Sequence, residues 1–256
     1  MLTALVLAAS AAITNQGGDM VSLPAGLYRP LYLSKDSPLV QVAPFQLDRT
    51  PVTNRDFLAF VSANPKWAPA RIPGLFAENG YLSHWSGGRP RTVELDSPVT
   101  RVSWFAAQAY CRAQGKRLPR VAEWEFAARA SQSRADGSSE PGYNQRILSW
   151  YARPNAKVLP AVAQSAPNFW GLHDMHGLIW EWTEDFNSAL VSGESRADSS
   201  LNTNLFCGSG AAGAADPSDY AAFMRFGYRA SLKARFTQEN LGFRCARDGD
   251  ITDENP

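Results

Sequence analysis

The chain has 256 residues, of which 45% are hydrophobic and 19% are charged, a composition that can bury a sizeable core. This balance excludes a disordered or low-complexity protein, and the length allows one large domain. Because 25 basic residues nearly balance 24 acidic ones, the formal charge of +1 gives no overall electrostatic footprint for nucleic acid or for an acidic membrane surface.

The N-terminal segment has features of a signal peptide. Residues 2–9 form a short apolar run, and the small residues at positions 9 and 11 match a signal-peptidase site. The first basic residue is Arg29, so the usual positive start is missing, and a buried first strand or helix is the alternative interpretation. We predict an exported protein, periplasmic or secreted. After residue 13 there is no apolar run of about eighteen residues, so no transmembrane span is predicted.

This interpretation divides the chain into three parts. Residues 1–12 are the predicted signal peptide, residues 13–247 form the folded domain and residues 248–256 form a polar tail. No internal repeat, charge block or proline-rich linker divides the folded part, so a single domain is expected.

The first regular elements are a strand and a helix. Apolar residues alternate from Val40 to Leu47 as in a strand, and Pro44 interrupts the alternation. Thr53 and Asp56 form the pattern of a capping box, which starts a helix. The apolar side of this helix consists of Phe57, Phe60 and Val61. Residues 64–97 hold many prolines and glycines and are interpreted as a long surface excursion.

Two further helices are predicted after this excursion. Ser103 caps the first of them and Gly115 ends it. Its apolar face consists of Trp104, Ala107 and Cys111. Pro119 opens the next helix. The apolar face of that helix consists of Val121, Trp124 and Ala128.

Beyond the third helix the apolar pattern breaks into short aromatic segments, which we interpret as short strands joined by long loops. These segments are LSWYA, NFWGLHDM, GLIWEWTED, FMRFGYRA and LGFRCARD. In the last one, strand alternation turns Leu241, Phe243 and Cys245 inward, whereas Arg244 points outward. Helices early and strands late predict an α+β fold, and 19 glycines with 17 prolines indicate much irregular backbone.

Two Glu-Trp motifs and one basic segment stand out among the charged residues. We expect the motifs at residues 123–125 and 180–182 to be buried aromatics whose carboxylates bind Arg, backbone N–H groups or a cation. Residues 225–247 contain six basic residues and a single acid, Glu239. This segment is either a basic sheet that binds an anionic ligand or solvated strand faces with one buried Arg paired to a tryptophan-flanking Glu. We favour the second interpretation.

The histidines and cysteines offer further metal ligands. His173 and His176, with Met175 and Cys207, are ligands that suit a soft metal such as Cu(I). Glycines on both sides of the histidine pair disfavour a helix there, so packing or surface roles are favoured. The odd number of cysteines, three, suggests one disulfide and one free thiol in an exported protein, and three pairings are possible.

Four segments, taken in order, resemble the formylglycine-generating enzyme (sulfatase-modifying factor) family. They are residues 44–61, 98–128 with its Gly-Lys-Arg-Leu-Pro, 168–185 (NFWGLHDMHGLIWEWTED) and 240–246 (NLGFRCA). The resemblance implies a single domain with a variant C-type-lectin-like fold that is low in regular secondary structure. This expectation agrees with the α+β interpretation.

The resemblance also implies a disulfide and a calcium site. Cys111 and Cys245 match a disulfide-linked pair of the family, which leaves Cys207 free. The residues that match a calcium site are Asp174, Gly177, Ile179 and Glu181. The two carboxylates and the carbonyls of the two middle residues would supply the oxygen ligands that Ca²⁺ requires, in a structural role.

The family's catalytic residues do not carry over. The generating enzyme uses two cysteines before the final strand to bind copper(I) and oxidise a substrate cysteine. The aligned positions here are Arg225 and Ala230, and neither side chain can ligate Cu(I) or form a mixed disulfide. The resemblance therefore implies a family member without formylglycine-generating activity.

Two functions remain open on this basis. We favour an exported accessory, maturation or binding factor for another exported enzyme, similar to the family's nitrite reductase accessory proteins. Its partner would be another exported protein or a peptide. The alternative is a metal-dependent oxidase or oxygenase that binds copper or iron through Cys207, its candidate catalytic residue, with His or Met ligands.

A ligand or partner is expected over residues 207–235, which match the family's substrate groove. Arg225, Tyr228 and Arg229 are the candidate contacts in this segment. Arg supplies forked donors and Tyr a flat amphipathic face, so an anionic or peptide ligand would suit them.

Overall fold

The computed structural model describes residues 19–29, 39–154, 156–187 and 220–249. The predicted signal peptide, nearly all of the predicted polar tail and Cys207 lie outside the described residues. None of the described helices is both long and apolar enough to cross a membrane.

The strands are short and form three small sheets. They are β1 (Met20–Leu23), β2 (Gly26–Tyr28), β3 (Val40–Val42), β4 (Phe45–Asp48), β5 (Trp180–Glu181), β6 (Leu241–Gly242) and β7 (Ala246–Asp248). In the first sheet β4 lies between β1 and β7 and is antiparallel to both, with Leu47 opposite Val21 and Ala246. β2 pairs with β3 in antiparallel fashion, and β5 pairs with β6 in parallel. The predicted break of the strand at Pro44 is confirmed, because β3 ends before it and β4 begins after it.

Five α-helices lie in the described ranges. They are α1 (Asn54–Ala63), α2 (Trp104–Ala113), α3 (Val121–Ala128), α4 (Tyr143–Tyr151) and α5 (Tyr220–Ser231). The first three confirm the predicted helices. Thr53 Oγ1 accepts from the Asp56 N–H (3.2 Å), and Ser103 Oγ accepts from the Ala106 N–H (3.2 Å), so both predicted caps are made. Gly115, just after α2, has φ of +65°, the left-handed conformation that ends helices.

The prediction of short strands in the C-terminal half is wrong for three segments, one of which, NFWGLHDM (residues 168–175), forms turns and contains no strand. LSWYA lies mostly in α4, and FMRFGYRA lies entirely in α5. The buried residues of α5 are Ala221, Arg225 and Arg229, which are spaced four apart on one face. Because two of the three are arginines, the apolar periodicity that identifies a helix is absent from this segment.

The last segment also departs from the predicted strand. β6 ends at Gly242 and β7 begins at Ala246, so strand alternation does not run through the residues between them. Arg244 is therefore not turned outward as predicted: it is fully buried, at 0% exposure.

The main hydrophobic core lies between α1, α2 and this last segment. The ring centroid of Phe57 in α1 lies 5.8 Å from that of Tyr110 in α2 and 6.0 Å from that of Phe243. The excursion of residues 64–97 is not wholly on the surface, because its Tyr81, Leu82 and Trp85 are buried in the same core. A second core lies under the β1–β4–β7 sheet, where β-strand residues pack against Trp124, Leu172 and Met175.

A disulfide between Cys111 and Cys245 joins α2 to the last segment, as the resemblance implies. Their Cα atoms lie 5.6 Å apart, and both residues are fully buried in the main core. The bridge thus ties the C-terminal part of the chain to a helix in its first half.

Removing this disulfide should destabilise the fold strongly. The bridge has a sequence separation of 134, for which loop-closure entropy gives about 5 kcal/mol. We expect the free energy of unfolding in guanidinium chloride to fall by about this amount in the double variant Cys111→Ala/Cys245→Ala. The matched variant Cys207→Ala should keep the wild-type value. A peptide map without reduction that finds Cys207 in the bridge would contradict the assignment.

Candidate functional site

Most of the buried charged side chains lie around helix α3. Three consecutive residues of this helix, Glu123, Trp124 and Glu125, bind three different parts of the chain. The Glu123 carboxylate accepts from Arg117 Nη1 (2.7 Å) and from the backbone N–H of Arg120 (2.8 Å). Trp124 Nε1 donates to Glu181 Oε2 in β5 (2.8 Å). Glu125 faces α5. These contacts confirm the predicted role of the two Glu-Trp motifs. Their aromatic rings are largely buried, and their carboxylates bind Arg or backbone N–H groups.

The carboxylate of Glu125 holds two guanidiniums of α5. Arg225 donates to it through Nε (2.9 Å) and Nη2 (2.7 Å), and Arg229 donates through Nη1. The two guanidinium carbons lie 5.9 Å and 4.8 Å from the ring centroid of Trp124, within cation–π range. Burial alone raises the pKa of Glu125, but the charges of Arg225 and Arg229 outweigh it and hold this pKa at about 2.

These contacts correct the interpretation of Arg225 and Arg229 as ligand contacts. Their side chains are only 7% and 9% exposed and are paired internally with Glu125. Tyr228, the third predicted contact, is half-buried. Its hydroxyl donates to Gln238 Oε1 (2.6 Å), and its ring stacks on that of Trp180 at 4.2 Å. Three of the six basic residues, Arg225, Arg229 and Arg244, are thus buried and paired with a Glu, whereas the favoured interpretation described one such Arg among solvated strand faces.

A second buried ion pair joins Glu181 to Arg244. Arg244 Nε donates to Glu181 Oε2 and Nη2 donates to Oε1, both at 2.8 Å, and the two side chains are 1% and 0% exposed. Arg244 also donates to the carbonyl oxygens of Asp48 (3.1 Å) and His173 (2.9 Å). This bidentate geometry, with further hydrogen bonds, is what a buried ion pair requires to offset its desolvation.

The residues of the predicted calcium site have other partners in the structure. Both oxygens of Glu181 accept from Arg244, and one of them also accepts from Trp124, so a guanidinium already balances its charge. Asp174 accepts from the Ala163 N–H (2.6 Å) and from Ser165 Oγ (3.0 Å). Ile179 is buried and Gly177 is exposed. Among the described residues there is no group of three or more His, Cys, Asp or Glu that could hold a metal ion.

The two neighbouring histidines have packing roles in the structure. His173 Nδ1 lies 2.8 Å from the Ser165 carbonyl oxygen, and His176 Nε2 lies 2.9 Å from the Ala128 carbonyl oxygen. The His176 ring also meets the Trp124 ring edge-on at 5.8 Å. The thiol that the oxidase alternative requires, Cys207, lies outside the described residues.

An open cleft of about 610 Å³ lies beside α4, and sequence reasoning did not find it. Its walls include Tyr143, Arg146 and Trp150 of α4, the hydroxyls of residues 131 and 133, and the segment from Asp174 to Gly177. No motif joins these parts, and the segment LSWYA, which covers the end of α4, is predicted as a strand. The only signal in the sequence is the aromatic pair Trp150-Tyr151 at the end of that segment.

Comparison with known proteins places the chain in a family. The family model described as the sulfatase-modifying factor enzyme 1-like domain matches residues 7–249. The chain belongs to this family. It is 32% identical to a formylglycine-generating enzyme of Streptomyces coelicolor over 83% of this chain and 81% of that protein. It is 29% identical to a protein of Bos taurus named inactive C-alpha-formylglycine-generating enzyme 2, over 91% of this chain and 89% of that protein.

A solved structure has the same fold. The crystal structure of CarF aligns with a TM-score of 0.51 and 22% identity, and the alignment covers 91% of this chain and 98% of that one. At this identity the likeness concerns the fold alone. The predicted α+β single domain with low regular secondary structure is thereby confirmed.

Replacing Glu125 by Gln should remove the negative partner of two buried guanidiniums. We expect the free energy of unfolding at neutral pH to fall by about 3 to 5 kcal/mol, because an uncompensated buried charge remains. Glu184→Gln is the matched control, since its side chain is 35% exposed and lies 3.7 Å from Arg120, and it should change stability by less than about 0.5 kcal/mol.

The difference in the free energy of unfolding between wild type and Glu125→Gln should depend on pH. Glu125 has a pKa of about 2 in the folded state against 4.5 ordinarily, so its contribution is full above about pH 4.5 and is lost as the pH falls towards 2. The stability difference between wild type and Glu125→Gln should shrink over that window. A difference that stays constant down to pH 2 would contradict the ionised pairing.

Proposed function

We propose that this chain is an accessory or binding member of the sulfatase-modifying factor family that does not make formylglycine. The observation that carries the proposal is the state of the cysteines. The whole sequence has three, and Cys111 and Cys245 are joined in a buried disulfide. A single thiol, Cys207, is left, and one thiol cannot form the cysteine pair that the generating enzyme uses for copper(I).

The surroundings of Arg225 support the same conclusion. The family resemblance places this residue at the position of one copper-binding cysteine. Its guanidinium is buried, bonded to Glu125 and also donates to the Tyr151 hydroxyl (3.3 Å). A fixed positive charge at this position repels a copper ion and offers it no lone pair. The name of the Bos taurus relative, an inactive generating enzyme, is consistent with a member that has lost the reaction.

Export to an oxidising compartment is part of the proposal. Disulfides form and persist in secreted and periplasmic proteins and are rare in the cytosol of mesophiles. The Cys111–Cys245 bridge is fully buried and connects distant parts of the main core, so it supports the fold rather than a transient redox role. The partner would then be another exported protein or a peptide of one.

The proposal predicts that the purified chain does not oxidise a cysteine peptide. The disulfide-intact protein would be incubated with copper(I), oxygen, a reductant and a cysteine-containing sulfatase peptide, and conversion of the thiol to an aldehyde followed by mass spectrometry. The generating enzyme of Streptomyces coelicolor serves as the positive control. No aldehyde is expected. Turnover that is lost in Cys207→Ser would contradict the proposal and favour a metal-dependent oxidase built on that thiol.

A further inference from the structure

The loop that follows α1 carries basic and apolar side chains but no acidic one. Residues 57–77 contain Lys66 and Arg71 and neither Asp nor Glu. Both cations are exposed, and among the described residues neither is paired with a carboxylate. The formal charge of +1 for the whole chain therefore conceals a local excess of positive charge at this loop.

Four aromatic rings form a continuous line beside these cations, which we call the aromatic row. The ring centroids lie 5.9 Å apart for Trp67 and Phe76, 5.4 Å for Phe76 and Phe105, and 5.5 Å for Phe105 and Trp104. All four residues are half-buried, so each keeps part of its side chain at the surface. The Tyr81 hydroxyl, from the main core, donates to the Trp67 carbonyl (3.0 Å) and fixes the loop end of the row.

A leucine projects from the surface next to the aromatic row. The Phe76 N–H donates to the Pro73 carbonyl (2.8 Å), which closes a turn with Gly74 and Leu75 at its tip. Leu75 is 71% exposed, and no atom lies within 4 Å of the position that a Cβ of Gly74 would take. The turn thus presents a large apolar side chain to the outside, where it contributes little to the core.

Two further cations lie beside the aromatic row, on the segment after α5. The Ala234 carbonyl accepts from the Trp104 N–H (3.0 Å), and the Arg235 carbonyl accepts from the Glu78 N–H (3.1 Å). This segment therefore runs alongside the row, and its Lys233 and Arg235 are exposed without a carboxylate partner among the described residues. Together with the two cations of the loop, four positive charges flank the row, and the acid that lies among them is Glu78.

This combination of side chains suits the surface of an anionic lipid bilayer. Lys and Arg are attracted to anionic headgroups, and aromatic rings favour the boundary between headgroups and hydrocarbon. An acidic protein surface would also attract four cations, but it would need a pocket shaped to receive Leu75. The fluid hydrocarbon of a bilayer accepts a projecting leucine without a matching shape, so the observations favour lipid.

We propose that the aromatic row, Leu75 and the four flanking cations form a docking face for an anionic phospholipid bilayer. Leu75 and the exposed parts of the rings would enter the boundary of the acyl chains, and the cations would contact headgroup phosphates. Binding of this kind is peripheral and needs no spanning helix. The inference goes beyond the proposed function and does not rest on it.

Co-sedimentation of the full chain with vesicles tests the charge of the docking face. The vesicles contain phosphatidylcholine alone or phosphatidylcholine with about one-third phosphatidylglycerol. We expect binding to the anionic vesicles and its weakening by added salt, which screens the attraction. Lys66→Gln/Arg71→Gln should weaken binding at least about tenfold, since each cation near such a surface contributes about fivefold. Arg153→Gln/Lys157→Gln is the matched control, because it removes two exposed cations outside the face, and it should change binding by less than about twofold.

A second pair of variants tests insertion of the leucine. Leu75→Ser should weaken binding to the anionic vesicles at least about tenfold, because it removes the apolar side chain that enters the hydrocarbon boundary. Val93→Ser is its control. Val93 is 81% exposed and lies near the start of α1, where the Leu95 carbonyl accepts from the Arg55 N–H, whereas the docking face follows the end of that helix. All changed residues are exposed, so the melting temperatures should equal that of wild type.

Failure of this inference is distinguishable from failure of the proposed function. No binding to anionic vesicles would overturn the lipid assignment and leave an acidic protein as the occupant of the face. Binding that is the same in wild type, Lys66→Gln/Arg71→Gln and Leu75→Ser would show that another part of the chain, such as the apolar residues 2–9, contacts the lipid, and would also overturn it. Neither result bears on whether the chain forms an aldehyde from a cysteine peptide.

Discussion

The pairing of Glu181 with Arg244 is the interaction on which the rest of the structure depends. A fully buried carboxylate and a fully buried guanidinium are each costly to remove from water, so they persist only with near-complete hydrogen bonding. Arg244 meets this condition by binding β5 through Glu181, the end of β4 through the carbonyl of Asp48, and the segment before β5 through the carbonyl of His173. Three parts of the chain that are far apart in sequence, at residues 48, 173–181 and 244, are thereby held in one arrangement.

The other buried charges around α3 are also satisfied by hydrogen bonds and ion pairs. Trp124 donates to Glu181 on one side and is covered by the guanidinium of Arg229 on the other, so the two charged clusters share one aromatic ring. Lys116 and Asp48 form a third buried pair at 2.6 Å, and Asp48 also accepts from the Cys245 N–H. The interior charges are thus satisfied by one another.

Much of the site's framework could be predicted from the sequence, because it is encoded in local patterns. The caps at Thr53 and Ser103 and the apolar faces that follow them fix α1 and α2. The Cys111–Cys245 bridge could be inferred from the family resemblance, but the odd number of cysteines alone permitted three pairings. The role of the Glu-Trp motifs could also be inferred, since a carboxylate beside a buried tryptophan requires a cationic or N–H partner.

The remaining features could not be predicted, for physical reasons. Helix α5 buries Arg225 and Arg229, so its buried face lacks the apolar periodicity by which a helix is identified. Strand alternation places Arg244 on the outer face only if the strand is continuous. The chain leaves the strand between β6 and β7, and Arg244, which lies in this break, is buried. The cleft beside α4 combines that helix with loops far from it in sequence, through side chains that share no motif.

The central claim is that Arg244, and not a metal ion, neutralises Glu181. The most direct measurement is the melting temperature of the full chain in saturating calcium and in a chelator, compared with that of Asp174→Asn. If calcium bound the folded state, it would raise the melting temperature through linkage. The account predicts the same melting temperature in calcium and in chelator. An increase of several degrees with calcium that is abolished in Asp174→Asn would show that the resemblance, not the ion pair, describes this site.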